Sequence, residues 1–187
     1  ILYMANPINA QYNLNTAEQI SELYDFAIEF RADMGSLYRY YQIESSPERR
    51  ERFKQFFEDR QNRLEIIPFD ELSQNGQVDF IMINYYIKDR LYRLEQERVE
   101  YEAVRNWVDF GEDIYSIERQ RRRGKHMNAQ KVSGQISDIH KAIEQKIEDL
   151  DRREPAFSRN LIRRVESIIS GYQNALESVW EFYKGYD

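Results

Sequence analysis

Cysteine is absent from these 187 residues. No disulfide, thiol nucleophile or Cys-ligated zinc site can be built from them. Glycine and proline are scarce, at seven and four. An all-β chain needs many tight turns, and turns draw on those residues, so the scarcity predicts long helices. Histidine is limited to His126 and His140. Neither has Glu three positions before it, so the Glu-x-x-His pairs of a di-iron bundle are missing. The His-Glu-x-x-His zinc helix, the Gly-x-Ser-x-Gly elbow and the Gly-rich phosphate loop are missing too. No apolar run approaches the ~20 residues that span a bilayer. Basic excess is also lacking: the net charge is -6. Nucleic-acid binders draw most of their affinity from neutralised phosphates, so that class of partner is not expected.

What is present suits a globular helical protein. Hydrophobic residues make up 41% and charged residues 32%, too apolar a balance for disorder. The length fits one domain with a real core. We read residues 1–10 as the tail of a signal peptide or an N-terminal arm. The segment runs from apolar Ile1 to Pro7, with Ala10 as a cleavage point. Export to the periplasm or cell exterior is therefore expected. Residues 11–187 read as a single helical domain.

The expected fold is all-α, a bundle-like array of about six helices. Asn15 and Glu18 have capping-box spacing and open the first helix at Asn15 or Thr16. Its stripe is Ile20, Leu23, Ala27, Phe30, Met34, Leu37 and Tyr41, with Gly35 as a break or bend. Ser46 and Pro47 open a second helix with Phe53, Phe56, Phe57 and Leu64 inward, ended by Pro68. Ser73 opens the longest segment, 74–101. It carries apolar residues on several sides, which predicts a central helix covered by more than one neighbour. A shorter helix runs from Trp107 to Arg123 and stops at Gly124. Asn128 caps a helix with Val132, Ile136, Ile139, Ile143, Ile147 and Leu150 inward. Pro155 and Ser158 mark the start of the last one, which runs nearly to Asp187. No fixed-period repeat signals a solenoid.

Candidate chemistry is thin. His140 and Glu144 share a helix face at i, i+4, near Asp138, and would hold a metal only with partners from elsewhere. A solvated face is the favoured reading. The run Arg119 to His126 carries four arginines and a lysine. It reads as cations at a helix C-terminus, where the dipole favours them, ahead of an anion-binding patch. No catalytic, cofactor-binding or metal residue is assigned to this chain. Tyr and Phe are abundant, at 14 and 10, and packing accounts for most of them. The group Trp180, Phe182, Tyr183 and Tyr186 is the one expected to meet another domain or a ligand.

One stretch carries a resemblance. From Phe69 to Ile87 a Leu72-Ser73 turn is followed by Asp79-Phe80, an apolar helix and Asn84. The ending Phe182-Tyr-Lys-Gly-Tyr-Asp187 follows suit. Both resemble segments of the bacterial proteins grouped as domain of unknown function 885. The resemblance implies a longer, exported protein whose C-terminal half carries His-Glu and Pro-Gly-His elements, similar to zinc peptidases. This chain would be its N-terminal helical region. The missing half would be its partner, zinc would lie in that half, and a peptide would be the substrate class. This chain has no His-Glu or Gly-His pair, so no catalytic residue carries over to it. By itself it is expected to show no saturable one-to-one zinc binding in calorimetry. Tight stoichiometric binding would contradict that expectation.

Overall fold

In a computed structural model, residues 20–153 and 157–184 are described. Among them lie six α-helices and no strand. They are α1 (Tyr24–Tyr40), α2 (Pro47–Glu65), α3 (Gln74–Val104), α4 (Gly111–Arg122), α5 (Ala129–Arg153) and α6 (Arg159–Tyr183). Short 3₁₀ turns at Phe69–Glu71 and Arg105–Trp107 flank α3. The all-α array expected from the sequence is therefore present.

The ends of the helices follow their cap residues. Ser46 accepts a bond from the Arg49 amide, Ser73 from Gly76, Asn128 from Lys131 and Ser158 from Leu161. Gly124 takes a φ of 60° just after α4. Its amide bonds to the Arg121 carbonyl, and the next amide, of Lys125, reaches back to Gln120. That pair of bonds is the Schellman stop, and it requires the left-handed conformation glycine tolerates.

Two expectations fail at α1. The Asn15–Glu18 capping box lies outside the described residues, as do residues 1–10. Even so, Ile20 to Leu23 are not helical and the helix starts at Tyr24. The cause is local. The Ser21 hydroxyl accepts a bond from the Leu23 amide, which offers the backbone an alternative to the helix. Glu22 is meanwhile engaged with Ser73, accepting from both its amide and its hydroxyl. Gly35 does not break the helix; α1 runs through it to Tyr40.

The core has two parts joined by α3. Phe30, Phe53, Phe56, Phe57 and Ile87 form an aromatic cluster between α1, α2 and the first half of α3. Its rings meet tilted, edge-on or offset, with centroids 5.3 to 6.4 Å apart in pairs such as Phe56–Phe57 and Phe30–Tyr86. The second cluster joins Tyr101 and Val104 at the end of α3 to α4, α5 and α6 through Ile114, Ile117, Ile139 and Ile168. The order of contacts fixes the layout. Arg50 of α2 meets Glu97 while Phe57 meets Tyr86, so α2 runs antiparallel to α3. Glu22 meets Ser73 while Phe30 meets Tyr86, so α1 runs parallel to its first half.

The central helix departs from expectation. Ile83, Ile87, Leu91 and Leu94 pack inward, but Val78, Ile81, Met82, Tyr85 and Tyr92 stay exposed. Among the described residues α3 is covered on one side only. The inward stripe of α5 is also narrower than read, and α6 leaves apolar residues in solvent. Ile136, Ile147, Leu150, Ile162 and Ile169 are exposed.

Candidate interaction surfaces

The outer face of α3 is the clearest feature. Val78, Tyr85, Tyr92 and Val99 recur every seven residues, with Ile81 and Met82 beside the first pair. Their exposures run from 49% at Val78 to 73% at Tyr85. Two positions on a helix differ by about 200°, so Ile81 and Tyr85 lie opposite the inward Ile83 and Ile87. Exposed apolar side chains gathered on one helix face, rather than scattered singly, are the pattern that marks a partner site. On α1, exposed Tyr24 and Ile28 likewise stand two positions from Phe26 and Phe30.

The end of α6 forms a second surface. Trp180 is 68% exposed and Phe182 44%. Tyr183 is half-buried, and its hydroxyl donates to the Lys125 carbonyl. Phe182 lies under the Arg121 guanidinium. Tyr186, grouped with them in the sequence, lies outside the described residues.

The arginine run turns out to be an interhelical staple. Arg119 and Arg122 both donate to the Glu48 carboxylate of α2, at 2.9 and 3.1 Å. Arg121 and Arg122 donate to Glu118 at 3.3 and 2.9 Å. The Arg122 guanidinium also stacks over Tyr40 and Tyr41. So these cations bind α4 to α1 and α2, and neither a free anion patch nor a simple dipole effect describes them. The Glu118–Arg122 spacing was readable as an i, i+4 pair. Glu48, 74 residues from Arg122, had no local signal.

Burial pushes the Glu48 carboxyl up, but the bonds from Arg119 and Arg122 outweigh it and hold its pKa below the usual value. The unfolded chain then takes up that proton at a higher pH than the folded one. The stabilisation is complete above the unfolded value of ~4.3 and is lost as pH falls through the folded value. Urea melts from about pH 6 to pH 3 should show an acid-side loss that shrinks in Glu48→Gln. An identical loss in the variant would remove Glu48 from the account.

A chain of hydroxyls links the second core. Ser45 bonds Tyr115 at 3.3 Å, Tyr115 bonds Tyr172 at 3.0 Å, and Tyr172 donates to the Val108 carbonyl at 3.3 Å. Burial pushes the Tyr101, Tyr115 and Tyr172 hydroxyls up. They stay protonated, and their role is to satisfy one another inside an apolar core.

Between the α1–α2 turn, α2, α3 and α6 lies a polar cleft. One lobe, about 560 Å³, is lined by Tyr38, Arg49, Phe53, Arg90 and Tyr92 among others. A neighbouring lobe of about 360 Å³ shares Glu44, Glu97 and Arg164 with it. Burial pushes the Glu97 carboxyl up, although Arg50 and Arg49 pull the other way. Arg50 donates to it at 3.3 Å.

His140 stands 3.4 Å from Glu144, and both are well exposed, on a solvated helix face. Asp138 is engaged by Lys141. Among the described residues no three His, Cys, Asp or Glu side chains gather as a metal site, and no helix is long and apolar enough to cross a membrane. No family model matches this chain, and neither a curated protein nor a solved structure does.

Proposed function

We propose that this chain is a helical docking scaffold: the N-terminal region of an exported metal-dependent peptidase-like hydrolase. It packs against a catalytic half outside these residues and shapes the cleft in which a peptide would bind. Zinc, in this reading, belongs to that other half. The supporting observation is the outer face of α3, a heptad-spaced apolar stripe with no cover among the described residues. Burying such a stripe contributes roughly 25 cal/mol per Å², several kilocalories before the costs of association. The exposed Trp180 and Phe182 at the end of α6 offer a second contact. The link to a peptidase rests on the resemblance around Phe69–Ile87 and Phe182–Asp187.

The second reading is an independent interaction module. The observation favouring it is that the exposed outer face of α3 could equally seat an unrelated partner, since uncovered apolar side chains on one face suit any complementary apolar surface. Reading the gene beyond Asp187 separates the two. A following half with His-Glu and Pro-Gly-His elements that binds chain 11–187 and suppresses its hydrophobic-dye signal supports the first. A stop codon there, or a half that leaves the dye signal unchanged, overturns it.

A further inference from the structure

Two arginines in the larger cleft lobe lack the carboxylates that every neighbouring cation has. Arg93 is taken by Asp89, Arg50 by Glu97 and Arg164 by Glu100. The Arg49 guanidinium donates only to a backbone carbonyl, that of Glu44. The Arg90 side chain makes no hydrogen bond among the described residues. The Nε of each is shut off from solvent and unpaired. Arg49 is only 7% exposed. The unpaired Nε does not by itself set these two apart, since Arg60 and Arg121 share it while paired with carboxylates. What does is that neither guanidinium has a carboxylate partner, a charge that calls for an acceptor.

Both guanidiniums are also held in place. Arg49 stacks 4.5 Å over Phe53 and Arg90 stacks 4.8 Å over Tyr86. Stacking fixes the plane of each fork and leaves its edge for hydrogen bonding. Tyr38, Phe57 and Tyr92 supply apolar wall around them. Asp89 and Glu97 feel the charges of Arg90 and Arg49, but neither hydrogen-bonds this pair. Asp89 and Glu97 are already bonded, and Glu44 is exposed.

We propose that the Arg49–Arg90 lobe is a binding site for an oxyanion, a carboxylate or phosphate group carried on a small apolar body. Planar guanidinium forks match both groups in geometry, and charge-assisted bonds of this kind are the strong ones. The proposal does not depend on which larger protein the chain serves, so it can fail or stand independently of the docking reading.

The test uses the whole chain with two probes, N-acetylphenylalanine and inorganic phosphate, followed by calorimetry and thermal melts. The carboxamide of the first probe is the uncharged control. The expected result is saturable one-to-one binding of at least one oxyanion, a raised Tm, and no response to the carboxamide. Tighter binding of N-acetylphenylalanine assigns the site to carboxylates, and tighter binding of phosphate assigns it to phosphoryl groups. Arg90→Met should weaken binding at least tenfold, and Arg49→Lys, which keeps the charge but loses the fork, should weaken it several-fold. Lys54→Met, on an exposed α2 position paired with Glu58, should change nothing. Circular-dichroism melts confirm that each variant folds. No saturable binding of either anion up to about 10 mM, or binding that a folded Arg90→Met leaves intact, overturns the proposal.

Discussion

Replacing Arg122 by alanine should lower the unfolding free energy by about 3–5 kcal/mol, the cost of breaking a buried ion pair from one side. The Arg122 side chain is 6% exposed, and so is its partner Glu118. It also bonds Glu48 and covers Tyr40 and Tyr41. Removing it strands a carboxylate inside the protein and uncovers two rings. Arg121 still reaches Glu118, so the lower end of the range is the expected value. In a chain of this size about 3 kcal/mol corresponds to a Tm fall of roughly 10 °C. Arg122→Lys should recover part of that, because lysine keeps the charge but cannot stack or bond with both carboxylates in one plane. A loss below about 1 kcal/mol for the alanine variant, the range of an exposed pair, would mean the staple is solvated.

Gly111→Ala should cost about 3 kcal/mol. A Cβ there would sit 2.0 Å from the Tyr172 hydroxyl and 2.2 Å from its ring carbon Cζ. Tyr172 is 2% exposed, and its hydroxyl is engaged with Tyr115 and Val108. The ring has nowhere to go. Overpacking of this kind costs ~1–3 kcal/mol, and each displaced hydrogen bond adds about 1. Gly76→Ala gives the contrast. Its Cβ would approach the Glu22 carboxylate oxygen at 2.2 Å and Leu72 Cβ at 3.2 Å. Glu22 is exposed and can swing aside, at the expense of its bonds to Ser73. It should cost about 1 kcal/mol, the worth of a hydrogen bond released, and so less than Gly111→Ala. Adding Tyr172→Phe to Gly111→Ala should cost less than the sum of the two single changes, because both act on one contact. Additive losses in urea melts would mean that the clash is relieved elsewhere.

Helix identity was legible because it depends on local chemistry. Ser46, Ser73, Asn128 and Ser158 each cap where a helix begins, and Gly124 stops one. Coverage was not legible, because it depends on which other helices arrive. The period of α3 marks Ile87 and Tyr85 alike as apolar, and only the packing of α1 and α2 buries the first and leaves the second in water. The start of α1 failed for a related reason. A strong local pattern around Asn15 was read through to Ile20, while Glu22 is drawn to Ser73, 51 residues away. The role of Glu48 and the unmatched Arg49 and Arg90 were hidden in the same way. Each looks like an ordinary charge on a polar helix face until its neighbours are known. The absence of a local catalytic motif was plain in the sequence, and so was the apolar excess of segment 74–101; which of its sides stays exposed needed the fold.

The central claim is that the outer face of α3 is covered by another part of a larger protein. Hydroxyl-radical footprinting tests it most directly, since exposed Met and Tyr side chains oxidise readily and buried ones do not. In the isolated chain Met82, Tyr85 and Tyr92 should label strongly and Tyr115 and Tyr172 hardly at all, as their exposures dictate. In the full-length protein, Met82, Tyr85 and Tyr92 should become protected while Tyr115 and Tyr172 stay as they were. Equal labelling of Met82 and Tyr85 in the isolated chain and in the full-length protein would contradict the account.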